Sequence, residues 1–341
     1  MLTLDGSRGE GGGQVLRTSL ALSIVTGEAF VLKNVRAGRP RPGLMRQHLT
    51  ALEAAATVSD AEVSGAFLGS TEVGFRPKRA RAGHYAFSIG TAGSATLVLQ
   101  TVLPPLLQTD GESNLLLEGG THNSHSPPFD FLDRVFLPLL QKLGARVEAT
   151  LERYGFHPAG GGRIRVRILP GKWKAEPWNL RERGPVRSVR GTVLLSALPR
   201  TIAEREIRIL AERLRSCEPE LTTKPIRDAK GPGNVVMVEV ESEQVTELFT
   251  GFGERGLRAE VVAEGVAAET LEYLESGVPV GRNLADQLLI PLALGAGGSF
   301  RTLAPTLHTR TQAEMVRTFL PASIEISELA PNDFWVQVNP N

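Results

Sequence analysis

Residues 8–17 read Arg8-Gly-Glu10-Gly-Gly-Gly-Gln14-Val15-Leu-Arg17, and this stretch decides how the chain begins to fold. Its four glycines within five positions allow a tight turn and bring bare backbone N–H groups close to a ligand. The apolar run that follows, from Val15 to Leu22, predicts that the glycines open a helix. The first turn of that helix would direct unpaired N–H groups and the positive end of the helix dipole toward an anion.

Glu10 is an unexpected residue in an anion site, because its negative charge would repel a phosphate. A divalent cation between the carboxylate and the anion would resolve this conflict. The stretch is not a Walker loop, since no Lys-Ser or Lys-Thr follows, and its spacing is not that of a dinucleotide fingerprint. A plain strand-to-helix turn with one exposed glutamate is the alternative that this stretch leaves open.

The composition is that of a chain with an ordinary core and almost no net charge. Its 341 residues are 41% hydrophobic and carry a net charge of +1, enough chain for two domains or one elaborate domain. Arginine outnumbers lysine by 31 to 7, which permits phosphate binding but is equally explained by genome composition or a warm habitat. The single Cys217 excludes an internal disulfide framework and a cysteine-rich zinc site. The sequence shows neither a leader-like N-terminus nor an apolar run of membrane-spanning length, so we expect a soluble, cytoplasmic protein with no membrane partner.

A repeated order of elements predicts the fold class. Residues 13–76, 85–169 and 284–338 each carry the pattern of a helix, a strand, a helix and two strands. Such a unit suits a small sheet with helices packed on one face. We therefore expect an α/β (α+β) protein with three repeated units.

Between the second and third units, residues 184–277 interrupt this pattern and predict a smaller inserted α/β domain. The three-repeat domain then consists of residues 1–183 and 278–341. Within the insert we expect the strand Ser188–Leu194, the helix Ile202–Leu214, the strand Val235–Glu241 and a strand-helix pair from Ala259 to Leu274. No motif in the insert suggests chemistry.

An arginine-rich loop is the second candidate for anion binding. Arg36, Arg39, Arg41 and Arg46 fall within eleven residues, between a predicted strand and a predicted helix. Such a loop could hold an oligonucleotide backbone or a terminal phosphate through several forked contacts. A solvated basic loop is the alternative interpretation.

Two further loops carry histidines. His122 and His125 are three residues apart, but with only two ligands a turn explains them better than a metal site. His308 lies between a predicted strand and a predicted helix, where a lone histidine is more often structural than catalytic. The positive end of the helix would, however, lower the pKa of His308 and keep its imidazole neutral and nucleophilic.

Taken together, these segments resemble the RNA 3′-terminal phosphate cyclase family. The likeness covers essentially the whole chain in the order of the family. It rests on Asp5–Gln14, Arg36–Arg39, Pro42–Leu49, Gly93–Gln100, Gly119–Thr121 with Pro127-Pro128, Pro158–Gly162, Leu284–Gln287 and His308. It implies three repeats of a fold like the C-terminal domain of bacterial translation initiation factor three, with a smaller α/β insert.

The resemblance also implies a reaction. The family uses ATP and a divalent metal, Mg²⁺ or Mn²⁺, to convert an RNA 3′-phosphate into a 2′,3′-cyclic phosphodiester. His308 would attack the α-phosphate of ATP, release pyrophosphate and become a covalent adenylate. The adenylate would pass to the RNA 3′-phosphate, and the 2′-hydroxyl would then displace AMP. DNA ends with a terminal phosphate could serve as side substrates that cannot close the ring, and the resemblance leaves room for an oligomer.

The roles of individual residues follow from the same resemblance. Besides His308, the implied catalytic residues are Glu10, as the metal ligand, and Arg17, Arg39 and Gln47, which handle phosphates. The implied adenylate pocket around His308 consists of Gln100, Pro127, Asn283, Leu284, Ala285, Asp286 and Gln287. The chain departs from the family at Asn283, where an aromatic residue commonly covers the adenine, and at His122, where the loop usually carries an acid. Phe129 or a residue of another segment could cover the base instead.

Two other functions fit parts of this pattern. One branch of the family is non-catalytic and binds RNA in ribosome biogenesis, but that branch lacks the nucleophilic histidine. An enolpyruvyl-transferase-like enzyme would share a related architecture and bind anions through arginines, yet the motifs of such enzymes are absent. His308 together with Glu10 favours the cyclase.

Overall fold

The structure is a computed structural model that describes residues 1–340. Its strands form four-stranded sheets accompanied by helices, which confirms the predicted mixed α/β class. The helices are α1 (Gly13–Thr26), α2 (Arg46–Ser59), α3 (Ala95–Leu106), α4 (Phe129–Phe131), α5 (Leu137–Lys142), α6 (Arg200–Arg213), α7 (Ala259–Ser276), α8 (Arg282–Leu294) and α9 (Leu307–Phe319). A π-helical turn at Leu132–Phe136 joins α4 to α5. In residues 1–340, no helix combines the length and the apolar character that a membrane span requires.

Three of the sheets share one strand order. From edge to edge, the first contains β1 (Leu2–Asp5), β2 (Phe30–Lys33), β4 (Val73–Arg76) and β3 (Glu62–Ser64). The second contains β5 (His84–Ser88), β6 (Ser113–Gly119), β8 (Gly162–Leu169) and β7 (Arg146–Arg153). The third contains β9 (Trp178–Leu180), β14 (Gly298–Thr302), β16 (Asp333–Pro340) and β15 (Ala322–Ala330). In each sheet the first two of these strands are parallel and the remaining neighbours are antiparallel.

The leading strands of the first and third sheets correct the sequence-based pattern, which began those units with a helix. β1 and β9 are only four and three residues long, too short to show an alternation of apolar and polar residues. β9 also precedes the insert in the chain and pairs with β14, which follows the insert. Residues 184–277 therefore fall between the first two strands of the third sheet, whereas the sequence pattern put this segment between the second and third units.

The fourth sheet lies within residues 184–277, the segment that we call the insert, and has a different strand order, β11 (Glu220–Ile226), β10 (Val186–Ser196), β12 (Gly233–Ser242) and β13 (Thr246–Phe252). The predicted strand-helix pair from Ala259 to Leu274 is wrong, because these residues belong to the single helix α7. Its strand partner, β13, comes earlier in the chain. β11 was also not predicted: it contains Pro225, a residue that an edge strand tolerates because one of its sides needs no N–H donor.

Most of a second apolar cluster lies in the insert. Buried side chains of β10, β12 and α7, among them Val193, Val238 and Val266, form a cluster separate from the main core. Tyr273 is the largest of these buried side chains, and its hydroxyl donates to the carbonyl of Pro279 just before α8. The end of the insert is therefore tied to the start of α8.

The helix α1 lies at the centre of the molecule. It packs against α2 of the first unit, α3 of the second and α9 of the third. Its apolar side chains are buried over the whole length, and Gly27, with φ of 77°, ends the helix in the left-handed conformation. Because α1 contacts all three units, the glycine turn at its start lies where they meet.

Candidate active site

A cavity of about 730 Å³ lies where α1, α2, α8 and α9 begin. Four helix N-termini on one cavity direct their positive dipole ends toward it, which favours an anion. The cavity has a charged end, with Glu10, Arg17, Arg39 and His308, and an apolar end formed by other elements.

Most of the predicted site residues line this cavity. They are Glu10, Arg17, Arg39, Gln47, Gln100, Pro127, Asn283, Asp286, Gln287 and His308. Leu284 and Ala285 are fully buried instead and do not line it. These two side chains can act on a ligand only by holding α8 in place.

Glycine is required at two points of the turn before α1. Gly9 has φ of 61°, and a Cβ there would overlap the hydroxyl of Thr311 on α9. A Cβ on Gly13 would lie 2.5 Å from His48 Nε2 and 2.7 Å from Arg17 Nη1. The missing side chains thus let three helices converge on the charged end of the cavity.

Glu10 is held in place by three contacts. Its N–H donates to Thr311 Oγ1 at 3.0 Å, its Oε1 accepts the N–H of Gln14 at 2.9 Å, and its Oε2 pairs with Arg39. Burial acts to raise the pKa of Glu10, but the Gln14 N–H and the positive charges around it outweigh that effect and hold the pKa below its ordinary value. Glu10 is therefore a carboxylate at neutral pH, although its side chain is only 4% exposed.

Arg17 is a cation of the site without a direct partner. Among residues 1–340, its half-buried guanidinium forms no hydrogen bond and no ion pair, although the charges of Glu10 and Asp286 act on it from farther away. Burial lowers the pKa of Arg17 to about 10, so the group still carries its charge at neutral pH. An unpaired, half-buried cation is stabilised by an anionic ligand. Arg17 is thus the strongest local evidence for a phosphate in this cavity.

His308 is the second residue of α9, which begins four residues earlier than predicted because Thr306 caps it by accepting the N–H of Thr309. The Nδ1 of His308 lies 2.9 Å from Gln14 Oε1. The Gln14 amide nitrogen donates to Asp286 Oδ2 and to Gln312 Oε1, each at 3.2 Å, so its oxygen must face the histidine. Nδ1 therefore carries the proton, and Nε2 keeps its lone pair. Burial, helped by Arg17 and Arg39 and opposed by Glu10, lowers the pKa of His308.

A chain of side-chain amides continues from this histidine to α3. Gln287 Nε2 donates to Asp286 Oδ2 at 3.1 Å, and Gln100 Nε2 donates to Gln287 Oε1. Burial raises the pKa of Asp286 to about 7, although Gln287 and Arg17 act in the opposite direction. The chain thus joins α1, α3, α8 and α9 beside one cavity.

The first turn of α2 adds two neutral groups. Gln47 Oε1 accepts the N–H of Ser94 at 2.6 Å, which ties α2 to the start of α3. His48 is buried next to Arg17, and burial together with Arg17, Arg36 and Arg39 lowers its pKa to about 3. His48 Nδ1 accepts the N–H of Met45, so its proton lies on Nε2. It is a neutral donor at the cavity wall.

Sequence reasoning gave no role to Gln14, His48 or Gln312. Gln14 and His48 lie inside the motifs that carry the family resemblance, but a motif alone does not tell which side chains contact one another. Gln312 is four residues after His308, so helical spacing puts both on one face of α9 and could have identified it.

The apolar end of the cavity is lined by aromatic and aliphatic side chains of α3, α4, the π-helical turn, α8 and β13 of the insert. These include Leu103, Phe131, Phe136, Ile290, Leu248 and Phe252. Phe129, which the sequence offered as a cover for a base, is 7% exposed and does not line the cavity. Asn283 lines it, and so do the aromatic side chains of Phe131, Phe136, Trp173 and Phe252.

His122 is a buried structural residue. Its Nε2 lies 2.7 Å from Asp130 Oδ2, its Nδ1 lies 2.8 Å from Thr121 Oγ1, and its ring stacks on Tyr154. The partner histidine, His125, lines the cavity. Within residues 1–340, no three metal-ligating side chains cluster together.

Glu247 connects the insert to the site. This buried residue of β13 accepts the N–H of Gly281, which precedes α8. Burial raises the pKa of Glu247 to about 8. Arg183 supports the same junction, since its guanidinium donates to the carbonyls of Tyr273 and Leu274. The helix that carries Asp286 and Gln287 is thus anchored by the insert.

Glu247→Gln should flatten the pH dependence of stability. The carboxyl titrates near 4.5 when unfolded and near 8 when folded, so the folded protein binds the proton more tightly. The contribution of the protonated Glu247 carboxyl to the free energy of unfolding is present at acid pH and is lost as the pH rises from about 4.5 to about 8. Urea unfolding at several pH values measures this loss, which we expect to be smaller in Glu247→Gln. The exposed Glu243 on the preceding turn gives the matched control, and parallel curves for wild type and Glu247→Gln would contradict the prediction.

Comparisons with known proteins bear on this site. The family model described as RNA 3′-terminal phosphate cyclase matches residues 8–326. The chain belongs to this family. It is 50% identical over 329 residues to the RNA 3′-terminal phosphate cyclase of Koribacter versatilis, covering 96% of this chain and 92% of the relative. It is 47% identical over 337 residues to the RNA 3′-terminal phosphate cyclase of Pseudomonas fluorescens, covering 99% of this chain and 97% of the relative.

Membership of the cyclase family identifies the chain as an enzyme whose relatives are named for RNA 3′-terminal phosphate cyclisation. The matched region extends from the glycine turn through residues 184–277 into β15 and so contains all the site residues described above.

Proposed function

We propose that this enzyme uses ATP to convert an RNA 3′-phosphate into a 2′,3′-cyclic phosphodiester through a covalent adenylate on His308. Family membership supports cyclisation of RNA 3′-phosphates. The histidine mechanism is carried by one observation, the hydrogen bond from His308 Nδ1 to Gln14 Oε1, which leaves the lone pair on Nε2. A neutral, oriented imidazole beside an unpaired Arg17 suits attack on a phosphate.

In the first step, His308 Nε2 forms a bond to the α-phosphorus of ATP while the bond to the β-phosphate oxygen breaks and pyrophosphate leaves. Negative charge develops on the α-phosphate oxygens, and Arg17 with the helix N-termini would stabilise it. Gln14 Oε1 would accept the hydrogen bond from Nδ1 throughout. The negative charge of Glu10 would stabilise the imidazolium that forms. The adenine would occupy the apolar end, near Gln100, Pro127, Asn283 and Gln287.

The charged end offers a divalent ion a single carboxylate ligand, Glu10. Glu10 is an ionised carboxylate, and no cluster of three ligating side chains exists in the described residues. One carboxylate is too few for a protein cage but suits Mg²⁺ or Mn²⁺ that is also held by nucleotide phosphates. Such an ion, with Glu10 as its ligand, would neutralise charge on the phosphates and the leaving group.

The RNA end would bind on the side of Arg39 and Gln47. An oxygen of its 3′-phosphate would attack the adenylate phosphorus, breaking the bond to His308 Nε2 and giving an RNA–adenylate pyrophosphate linkage. The neighbouring 2′-hydroxyl would then attack the RNA phosphorus and release AMP. The last step is intramolecular, and well-oriented groups of this kind reach effective molarities of about 10⁵ M or more.

Arg39→Ala should impair cyclisation of the RNA while adenylation of the protein continues. We expect adenylate labelling of the protein to persist while cyclisation of an RNA 3′-phosphate falls about tenfold or more, because the RNA phosphate loses a charged partner. Labelling with α-labelled ATP and a cyclisation assay over a range of RNA concentrations measure the two effects. Arg79→Ala, an exposed arginine on the loop after β4, is the control. Equal cyclisation by Arg39→Ala at all RNA concentrations would remove Arg39 from the RNA end.

Several wider features belong to the same proposal. Each of the three like sheets would correspond to a fold like the C-terminal domain of translation initiation factor three, and residues 1–183 with 278–341 would form the catalytic domain around the insert at 184–277. We expect the enzyme to act in the cytoplasm and to adenylylate DNA 3′-phosphates without closing a ring. The non-catalytic, RNA-binding alternative is disfavoured by the lone pair on His308, and adenylate labelling distinguishes the two.

A further inference from the structure

An exposed apolar surface lies beside the arginine-rich loop. Phe67 is 62% exposed, Leu68 47% and Met45 43%, although most large apolar side chains of the protein are buried. Together with Arg41 and Arg46, these side chains make a surface that we call the platform. Exposed apolar side chains on two segments that are paired through their backbones, one of them rich in arginine, differ from an ordinary solvated turn.

Backbone hydrogen bonds fix the platform next to the cavity. The N–H of Gly69 donates to the carbonyl of Leu44 at 2.8 Å, and the N–H of Leu44 donates to the carbonyl of Ser70 at 3.0 Å. The turn that carries Phe67 is therefore held against the segment just before α2. The next residues of α2, Gln47 and His48, line the cavity. The platform is thus continuous with the cavity wall on the side of Gln47.

The charges of the platform are not compensated within the protein. Arg41 and Arg46 are exposed, and in the described part of the chain neither forms an ion pair. Arg36 fixes the loop by donating to the carbonyls of Arg41 and Gly43 at 2.7 and 2.9 Å. The segment paired with the Phe67 turn therefore carries two exposed guanidinium groups without an ion-pair partner, on either side of Met45 in the chain. A polyanion with flat apolar faces matches this surface.

We propose that the platform binds the single-stranded nucleotides just 5′ of the terminal phosphate of the RNA. Phe67 would stack on an unpaired base, with Leu68 and Met45 beside it, while Arg41 and Arg46 contact the phosphodiesters. This inference rests on the proposed function, because it needs the RNA end in the cavity. A second copy of the chain is a poorer occupant, since a symmetric contact would bring the arginines of both copies together.

The kinetic test compares two substrates. In Phe67→Ser we expect KM for an RNA 3′-phosphate of about ten nucleotides to rise about tenfold, the loss typical of one stacked base. KM for uridine 3′-phosphate, which is too short to reach the platform, should not change, nor should adenylate labelling without RNA. Phe67→Trp should restore tight binding of the longer RNA. Leu329→Ser, which alters a leucine 56% exposed on β15, is the matched control.

A binding measurement tests the contact between the platform and RNA independently of catalysis. An RNA 3′-phosphate carrying 2-aminopurine next to its terminal nucleotide should lose fluorescence on binding the wild type and lose much less on binding Phe67→Ser. The double variant Arg41→Gln/Arg46→Gln should lower the dependence of log Kd on log salt concentration by about 1.4, near 0.7 for each lost contact to a single strand. Arg255→Gln, an exposed arginine of the insert, is the control.

Each outcome decides the proposal. If Phe67→Ser leaves KM for both substrates and the fluorescence loss unchanged, the platform does not bind RNA. If that variant changes only the molecular mass in solution, the surface is a contact between copies and the proposal is wrong. If wild-type protein acquires no adenylate, the proposed mechanism fails, while the fluorescence and salt measurements still decide the platform.

Discussion

His308→Asn is expected to abolish labelling of the protein by ATP that is labelled in its α-phosphate. Asparagine has no lone pair comparable to that of imidazole Nε2, so no covalent bond to phosphorus can form. Removing a nucleophile from an assembled site costs several orders of magnitude, and we expect a loss of more than about 10³-fold. Incubation with metal and labelled ATP, followed by denaturing electrophoresis, measures the label, which should be labile to acid because it is a phosphoramidate.

His125→Asn provides the matched control. His125 lines the same cavity but has no hydrogen bond to the Gln14 network, so its variant should label normally. Normal labelling of His308→Asn would exclude the proposed nucleophile. In the wild type, the pKa of His308 is lowered from 6.5, so the imidazole stays neutral to more acid pH than a free histidine. The labelling rate should accordingly hold steady as the pH falls through 6.5 and decline only below it.

Gln14→Leu is expected to slow adenylate formation by about 10²-fold with little change in KM for ATP. Leucine approximates the volume of glutamine but removes the oxygen that accepts the Nδ1 hydrogen of His308. Without that acceptor the ring is free to place its proton on Nε2 and to rotate, and in either state the lone pair no longer faces the phosphorus. Single-turnover labelling at several ATP concentrations separates the rate of transfer from binding.

A spectroscopic readout distinguishes positioning from general damage. Nitrogen-15 NMR of the imidazoles reports which ring nitrogen carries the proton, and the His308→Asn spectrum identifies the signal of His308. We expect protonated Nδ1 in the wild type and a mixture in Gln14→Leu. Gln312→Leu removes one acceptor of the Gln14 amide nitrogen but leaves Gln14 Oε1 in place. Adenylate formation should therefore slow less in Gln312→Leu than in Gln14→Leu. Wild-type labelling by Gln14→Leu, or a proton on Nε2 in the wild type, would contradict the assignment.

The parts of the fold that depend on local pattern could be predicted. The glycine turn before α1, the helix itself and most core strands follow from glycine positions and from the spacing of apolar residues. The mixed α/β class followed from the order of these elements. Short strands such as β1 and β9 could not be predicted, because three or four residues are too few to show a period.

Individual residues of the site could be predicted from the sequence, but the contacts between them could not. Glu10 and His308 could be identified from their settings in the sequence, but their relation through Gln14 depends on the docking of α1 against α9. The apolar end depends on Phe252 of the insert, which sequence reasoning credited with no role. Such contacts join residues far apart in the chain, and spacing along the sequence does not encode them.

The position of the insert inside the third unit determines the order in which the site is completed during synthesis. The glycine turn and the arginine loop leave the ribosome first, and β9 follows, yet β9 cannot pair with β14 until the whole insert has been made. The helix that carries His308 comes later still. A nascent or truncated chain would therefore hold an anion-attracting surface without a nucleophile. The charged end of the cavity is thus complete only when α9 has been made, and under the proposed mechanism no adenylate can form on the chain before that point.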